Sequence, residues 1–369
     1  MPRKAHPDFL LLGLVTALVG VGVVMIYSAS AIVALRDYKT PYYYLQRQLL
    51  WAAIGAFALW VGLRIDYRHY RHFAVIIAST AVALLVAVLA PPFGGLRAGV
   101  RRWIEVGPLT LQPSELAKPA LIIFLAHVLV KKKDQVQKSV LALAPELIFL
   151  ALCLLLIMFE PDLGTAVTLG ATMAALLFVG GIKKRDLLLA GLFAFPAVIY
   201  SIAQHPYQRA RVMSFIDPWK DPFGDGFQII QSFLALGRGG VLGLGPAASR
   251  QKLFFLPAPH TDFVLAVIGE ELGFAGLAVV MLLLGMILWR GVRIALRAPD
   301  LFGTYLAFGL TFSLFLQAVL NAGVVAGLLP TKGMTMPFLS YGGTSLIISL
   351  AGIGILLNIS QNGVPARAK

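Results

Sequence analysis

Ten times along this chain of 369 residues an apolar run recurs that is long enough, as a helix rising 1.5 Å per residue, to cross about 30 Å of hydrocarbon. The runs cover residues 9–35, 45–63, 73–91, 114–130, 139–159, 164–181, 187–204, 263–289, 301–325 and 344–360. Backbone groups in lipid need partners within their own segment, so each run is expected as a helix. The chain is therefore expected to be an all-α polytopic membrane protein with ten transmembrane helices. Only 13% of its residues are charged and 59% are hydrophobic, which excludes an ordinary soluble domain. Spans fill the whole length, so residues 1–369 are expected to form a single membrane domain. The first run follows Arg3 and Lys4, exceeds a signal-peptide core and lacks a small-residue cleavage pattern, so it is expected to be retained.

An even number of spans puts both termini on one side, and lysine and arginine choose the side. With both termini cytoplasmic, the inside segments hold Arg3, Lys4, Arg64, Arg68, Arg71, Lys131, Lys132, Lys133, Lys138, Lys183, Lys184, Arg185, Arg290, Arg293, Arg297, Arg367 and Lys369, seventeen of the 31 cations. These inside loops are short and carry compact clusters such as "KKK" and "KKR". Ten of the fourteen outside cations gather in segments 92–118 and 205–262, where they are placed either to meet an anion or to meet lipid head groups.

Cys153, the single cysteine, lies in an apolar span and rules out a disulfide or a cysteine metal site. "GRGGVLGLG" lacks the Lys-Ser/Thr ending of a phosphate loop, so nucleotide-driven work is not expected. The connection 205–262, between spans seven and eight, is the one long loop, and long loops are usually functional. Its "DPWKDPFGDG" has turn chemistry, and residues 227–236 are expected to form a short amphipathic helix against the membrane.

Ionisable residues inside spans are costly, which makes each a functional candidate. Glu115 and Lys118, three apart on one helix face, can pair locally; Glu146, Glu160 and Asp162 lie in or between the next spans. In "FLPAPHTDFVLAVIGEELGF" Glu270 falls eight residues, about 12 Å, below Asp262, with Glu271 about 100° round from it. Glu270, Glu271 and Lys118 either line a site or form a buried ion pair that fixes helix packing.

"RRWIEVGPLTLQPSELAK" (101–118), "EPDLGTA" (160–166), "RVMSFIDPWKDPFGDGFQIIQSFLALGRGGVLGLG" (211–245), "QKLFFLPAPHTDFVLAVIGEELG" (251–273) and "LLPTKGMTMPFLSYGGTSLI" (328–347) together resemble, in order, the hallmark segments of the SEDS family, the group of FtsW, RodA and SpoVE. Two stretches, "GLGPAASRQKLFFLP" and "LLPTKGMTMPF", are more similar to FtsW than to RodA. The chain departs from the family at Ala258, where FtsW and RodA usually carry Glu, which leaves Asp262 as the acid at this site.

The resemblance implies a peptidoglycan glycosyltransferase of the bacterial cytoplasmic (inner) membrane that polymerises lipid II at the outer face, partnered by a class B penicillin-binding protein and other division or elongation membrane proteins. The family's essential aspartate maps to Asp262. Joining sugars from a polyprenyl-pyrophosphate donor needs a base for the acceptor hydroxyl and cations for the leaving pyrophosphate. Asp262 would supply the base, or else would only cap the start of its helix. Arg101, Arg102, Lys118, Arg211, Lys252 and Lys332, or a divalent cation (Mg or Mn) held with Asp262, would supply the positive charge. Trp103 is placed either to stack on a sugar or to anchor at the interface. Gln112, Glu115, Gln231, His260, Thr261 and Ser340 lie in the same motifs and complete the expected substrate-binding set, with Glu160, Asp162, Glu270 and Glu271 as structural support. A lipid II flippase is the alternative, and it would line a path through to the inner leaflet with polar groups.

Overall fold

The computed structural model describes residues 6–91, 94–97, 100–106, 109–136, 140–253 and 255–363, which leaves Arg3, Lys4, Lys138, Arg367 and Lys369 of the inside count outside the described residues. All ten apolar runs are helical over most of their length. They are α1 (Phe9–Tyr38), α2 (Tyr43–Arg64), α4 (Ala74–Leu89), α5 (Pro113–Lys131), α7 (Ala144–Phe159), α8 (Leu163–Val179), α9 (Lys184–Gln204), α12 (Val264–Arg297), α13 (Leu301–Val325) and α14 (Gly343–Asn362). Shorter helices fill the connections: α3 (Tyr67–His72), α6 (Lys133–Val136), α10 (Pro206–Ile216) and α11 (Phe227–Gly239). By length and composition α1, α5, α9, α12, α13 and α14 can each cross a membrane, and α4, α7 and α8 are shorter apolar helices. The apolar character of α2 is diluted by Tyr43, Tyr44, Gln46, Arg47 and Gln48 in its first turns.

Aspartates set several of the helix starts, because a carboxylate can accept from the backbone N–H groups left free there. Asp8 accepts from Leu11 N at 3.0 Å and also takes Arg290 Nε at 2.8 Å, which ties the start of α1 to the far part of α12. Asp300 accepts from Gly303 N at 2.8 Å to open α13, and Asp162 accepts from Thr165 N at 3.1 Å to open α8.

Helix α5 is the central element, buried along nearly its whole length and packed by α4, α7, α8, α13 and α14. Around it α14 lies along α2, and α12 and α13 pack side by side. Large apolar side chains remain on the outside, among them Phe57 at 63%, Ile76 at 62%, Leu282 at 63% and Phe193 at 80% exposed. Such a continuous apolar surface suits lipid as the solvent, and the chain is a multi-pass membrane protein.

The all-α expectation requires one correction. Residues 94–97, 100–106 and 109–111 form a three-stranded antiparallel sheet in the order β1 (Gly94–Arg97), β2 (Val100–Val106), β3 (Leu109–Leu111), with Gly95 opposite Trp103 and Glu105 opposite Thr110. "VRRWIEV" mixes polar residues with β-branched and aromatic ones, a composition that fits a pleated, half-buried surface better than a lipid-facing helix. A second correction concerns α11, which was expected against the membrane. It buries Ile229, Ile230, Ser232 and Ala235 on the bundle beside α12 and α13, and Ser232 Oγ donates to Val325 O at 2.8 Å. "DPWKDPFGDG" turns as its chemistry demands, with Asp221 accepting from Gly224 N and Asp225 N.

Helix α12 is interrupted at Gly273, whose φ of 67° and ψ of −167° are not helical. The break is repaired by the chain after α11, which supplies new partners to the freed backbone groups. Phe274 N donates to Gly240 O at 2.9 Å and Ala275 N to Val241 O at 3.0 Å, while Leu244 N and Gly245 N donate to the carbonyls of Glu270 and Glu271, each at 3.0 Å. The two backbones approach too closely for any side chain: a Cβ at Gly273 would lie 2.3 Å from Gly243 N and 2.5 Å from Val241 O. Gly273→Ala is therefore expected to lose at least about 1–3 kcal/mol through backbone strain alone. Thermal unfolding in detergent checks this against Gly237→Ala, where a Cβ meets open space and stability should hold.

Candidate functional site

Asp262 stands two residues before α12, at the end of the long loop, and its position is fixed through backbone atoms. Asn321, near the end of α13, donates from one amide nitrogen to Asp262 O at 2.9 Å and to Met334 O at 2.7 Å. Ser340 Oγ donates to Thr261 O at 2.6 Å and accepts from Met336 N at 2.8 Å, and Tyr341 N donates to His260 O at 2.8 Å. The segment 330–341 thus clasps 260–262, and α13 holds both. These bonds leave the side chain of Asp262 uncommitted: among the described residues its carboxylate has no hydrogen-bond or ion-pair partner.

That carboxylate borders a cleft of about 450 Å³ lined by Arg102, Asp162, Tyr207, Gln208, Arg211, Lys332 and Gly333, with neighbouring loop residues. A Cβ at Gly333 would lie 3.5 Å from Asp262 Oδ2, which sets how close the carboxylate comes to the rim. Burial pushes the Asp262 carboxyl up to about 6, with Asp162 adding to the rise while Arg211 and Arg102 oppose it. At neutral pH the group is ionised, with a proton affinity far above that of a free aspartate.

The cations around the cleft are held in place before any ligand arrives. Arg102 Nε donates to Glu160 O at 2.8 Å and Nη2 to Pro161 O. Arg211 Nη1 donates to Thr331 O at 3.1 Å, and its guanidinium stacks 4.4 Å from the Tyr207 ring. Lys332 is pulled below the ordinary lysine value by burial. Each arginine keeps N–H groups beyond those committed to carbonyls, in the fork geometry that suits phosphate oxygens.

Three of the six expected cations do not line this cleft. Strand side chains alternate, so Arg102 turns toward Glu160 while Arg101 and its neighbour Trp103 fall on the other face of β2. Lys252 is buried, bonding Glu271 Oε1 at 2.8 Å, Ala247 O at 2.7 Å and Ser28 Oγ at 3.1 Å, so its charge is consumed by the protein. Lys118 pairs with Glu115 at 2.8 Å and donates to Gln317 Oε1 at 2.7 Å, one layer further in. The alternative in which Lys118 pairs with Glu270 and Glu271 is thereby replaced by two separate pairs.

The inner layer is a second cavity of about 320 Å³, lined by Gln112, Glu115, Lys118, Thr165, Thr168, Gln317, Gly333, Met334 and Thr335. It shares Gly333 with the outer cleft. A third, of about 350 Å³, shares Glu115, Lys118 and Gln317 and continues past Ile122, Leu310, Leu314 and Ile348 between α5, α13 and α14.

Other expected ligand residues are committed elsewhere. His260 packs 4.3 Å from the Tyr44 ring, and burial pushes its imidazole down to about 4, so it is neutral. Thr261 Oγ1 donates to Ala258 O at 2.8 Å, Ser340 serves the clasp, and Gln231 sits half-buried on α11 away from the cleft lining. Asp162 accepts from Gln112 Nε2 at 3.2 Å and from Thr165 Oγ1 at 2.8 Å, which binds the starts of α5 and α8. Glu160 is fully buried and lacks partners for either oxygen; burial first, then Asp162, pushes it up to about 9, so it stays protonated. Glu270 accepts from Ser249 Oγ, Arg250 N and Gln251 N, and Glu271 from Ser28 Oγ, Ala247 N and Lys252 Nζ, so both carboxylates brace the long loop. A divalent cation would find Asp262 and, within electrostatic reach, Asp162; no cluster of three His, Cys, Asp or Glu side chains suited to a metal exists among the described residues. Gln317 and Asn321 were not singled out by charge alone, although two amides four residues apart inside an apolar span are a visible signal.

Fold and site define a multi-pass membrane protein with a carboxylate and fixed cations around one cleft at an end of its helix bundle. The chain belongs to the FtsW, RodA and SpoVE family, whose model, described as "Cell cycle protein", matches residues 9–364. It is 45% identical over 360 residues to a Geobacter metallireducens protein named "Probable peptidoglycan glycosyltransferase FtsW", covering 97% of this chain and 96% of that one. It is 42% identical over 359 residues to stage V sporulation protein E of Bacillus subtilis, covering 97% and 98%. Among solved structures it is similar to a chain from "Structural coordination of polymerization and crosslinking by a peptidoglycan synthase complex", with TM-score 0.80, 33% identity and coverage of 97% and 99%. It is also similar to Thermus thermophilus RodA, with TM-score 0.72, 28% identity and 97% coverage of each chain.

Geometry separates the two buried-side lysines in a way that stability can test. Lys252→Met strands the Glu271 carboxylate in the interior and is expected to cost about 3–5 kcal/mol. Lys332→Met removes a cleft cation with little loss of stability, and paired thermal unfolding curves distinguish the two.

Proposed function

We propose that this chain is a peptidoglycan glycosyltransferase that polymerises lipid II at the outer face of the bacterial cytoplasmic membrane, with Asp262 as the general base. The observation that carries the reading is the uncommitted Asp262 carboxylate beside a cleft whose cations, Arg102, Arg211 and Lys332, are already fixed. The activity named for its FtsW relatives supports the same reading. In this topology all ten apolar helices span, both termini are cytoplasmic, and the 205–262 loop and the β-sheet are extracytoplasmic.

The acceptor sugar hydroxyl gives its proton to an Asp262 oxygen as its own oxygen attacks the anomeric carbon of the donor. The bond from that carbon to the pyrophosphate oxygen breaks, and the electron pair leaves with the pyrophosphate. Arg211, Arg102 and Lys332 face the charge that develops there, and because the protein already orients them, little reorganisation is needed as the bond breaks. The apolar side chains of Ile122, Leu310 and Ile348 lie on the side where a polyprenyl tail would run. A divalent cation, if bound, would be held by Asp262 and the substrate's own phosphate oxygens and would add charge neutralisation at the pyrophosphate. A class B penicillin-binding protein is the proposed partner, in keeping with the peptidoglycan synthase complex among the similar structures.

Purified protein, alone and with its cognate class B penicillin-binding protein, is to be given labelled lipid II. Wild type should form glycan chains, and Asp262→Ala should be slower by about 10²–10⁴-fold, the usual contribution of a general base. Polymer from the Ala variant at the wild-type rate would sink the assigned role. Transbilayer lipid movement by both proteins, with polymer from neither, would instead favour a flippase.

The same reading fixes a pH response. Asp262 accepts a proton only when ionised, so the polymerisation rate should fall as pH drops through about 6 and level off above neutrality. A rate that is flat from pH 5 to 8 would remove Asp262 as the base.

A further inference from the structure

At the end of α12 opposite Asp262 lies a separate cavity of about 630 Å³ open to the outside, lined by Arg68, Arg71, His72, His127, Asp300 and Phe302. It sits where the short helix α3, the last turns of α5 and the start of α13 meet, and it takes no part in the reaction proposed above. Its charge leans basic, although Arg68 is shared with Asp300 at 3.4 Å and Asp66 at 3.9 Å. Arg71, Lys131 and His72 all stand within electrostatic reach of His127, and Arg68 adds a second guanidinium. The one lining acid, Asp300, is already occupied: it accepts from Tyr67 Oη at 2.5 Å, from Gly303 N at 2.8 Å and from Arg68 Nε at 3.4 Å.

One feature says what kind of anion the cavity fits. Directly beyond Arg71 and His72 the surface turns apolar, with Phe73 at 53%, Val75 at 56% and Ile76 at 62% exposed. A head group seated on the arginines would therefore have its tails against α4.

We propose that this cavity binds the phosphate of an anionic phospholipid, with Arg71 and Arg68 contacting the phosphate oxygens, His127 and His72 at its side, and the acyl chains lying along Phe73, Val75 and Ile76. Arginine forks match phosphate oxygens in pairs, and basic pockets between membrane helices are known to take such head groups. The site is distinct from the cleft at Asp262, so it stands whether or not the polymerase reading holds, and its test reads lipid rather than glycan.

The full chain is purified and mixed with phosphatidylglycerol or with phosphatidylcholine of matched acyl chains, and bound lipid is counted by native mass spectrometry. Wild type should retain phosphatidylglycerol preferentially, and Arg71→Ala, on an exposed turn, should weaken that binding about fivefold or more, the effect of one arginine near an anionic surface. Arg71→Lys, which keeps the charge without the fork, should fall between them, and unchanged thermal unfolding shows that both variants fold. Inorganic phosphate at millimolar concentration is the second arm. Displacement of phosphatidylglycerol only at high phosphate supports a lipid site. Equal retention of the two lipids by wild type, equal phosphatidylglycerol binding by wild type and Arg71→Ala, or tight phosphate binding with no retained lipid would each overturn the proposal.

Discussion

Everything near Asp262 depends on how the long loop between α9 and α12 is fastened to α12. Glu270 and Glu271, both buried, turn their carboxylates to Ser249, Arg250, Gln251, Ala247, Ser28 and Lys252, while their carbonyls take the backbone of Leu244 and Gly245. Two adjacent acids thereby hold two successive stretches of the loop, one through side chains and one through main chain. Burying those carboxylates would be strongly unfavourable without these donors, so the loop and the helix cannot separate cheaply. The break at Gly273 is what makes the arrangement possible, because an unbroken helix would have used those carbonyls itself. One consequence is that the residue just before α12 inherits the rigidity of the whole assembly.

A second fastening acts from the other side. Gln317 and Asn321, four residues apart on α13, face the same way and reach the 330–341 segment, Gln317 Nε2 donating to Thr335 O at 2.8 Å. Gln317 also accepts from Lys118, whose other partner is Glu115, so the central helix α5 is joined to the clasp by one continuous set of polar contacts. Asn321 carries this set to the carbonyl of Asp262. A carboxylate held through its backbone keeps its side chain free, which separates positioning from reactivity within a single residue.

The spans were legible because lipid imposes a simple rule of length and apolar content, and every expected run became a helix. Residues 94–111 were less legible: the segment is too polar for a span, and its strands are specified by short cross-strand pairs that periodicity reads poorly. The pair Glu115–Lys118 followed from helical spacing alone, whereas spacing left Glu270 and Glu271 either lining a site or paired with Lys118, and only the fold turns their carboxylates to the long loop. Lys252 could not be separated from Lys332 in the same way. Both are lysines in outer basic segments, and only the fold shows that one meets a buried glutamate while the other meets a cleft. Sequence spacing reports neighbours on one helix; it is silent about which of two loops folds back onto it.

The treatment of the buried acids sharpens the case for Asp262. Glu115, Asp162, Glu270 and Glu271 each have donors matched to their oxygens, which is the ordinary way a protein tolerates a carboxylate away from water. Two acids around the cleft are exceptions among the described residues, and they resolve the same difficulty differently. Glu160, fully enclosed, is pushed up to about 9 and keeps its proton, so it carries no charge to satisfy. Asp262 is half-buried beside the cleft, where Arg211 and Arg102 offset burial enough to leave it near 6, charged at neutral pH yet bonded to nothing. A structural carboxylate gains from a fixed partner, whereas a base must keep its oxygens free for a proton from outside. That difference in what surrounds each acid supports the assignment of Asp262 to chemistry and the others to the frame that holds it.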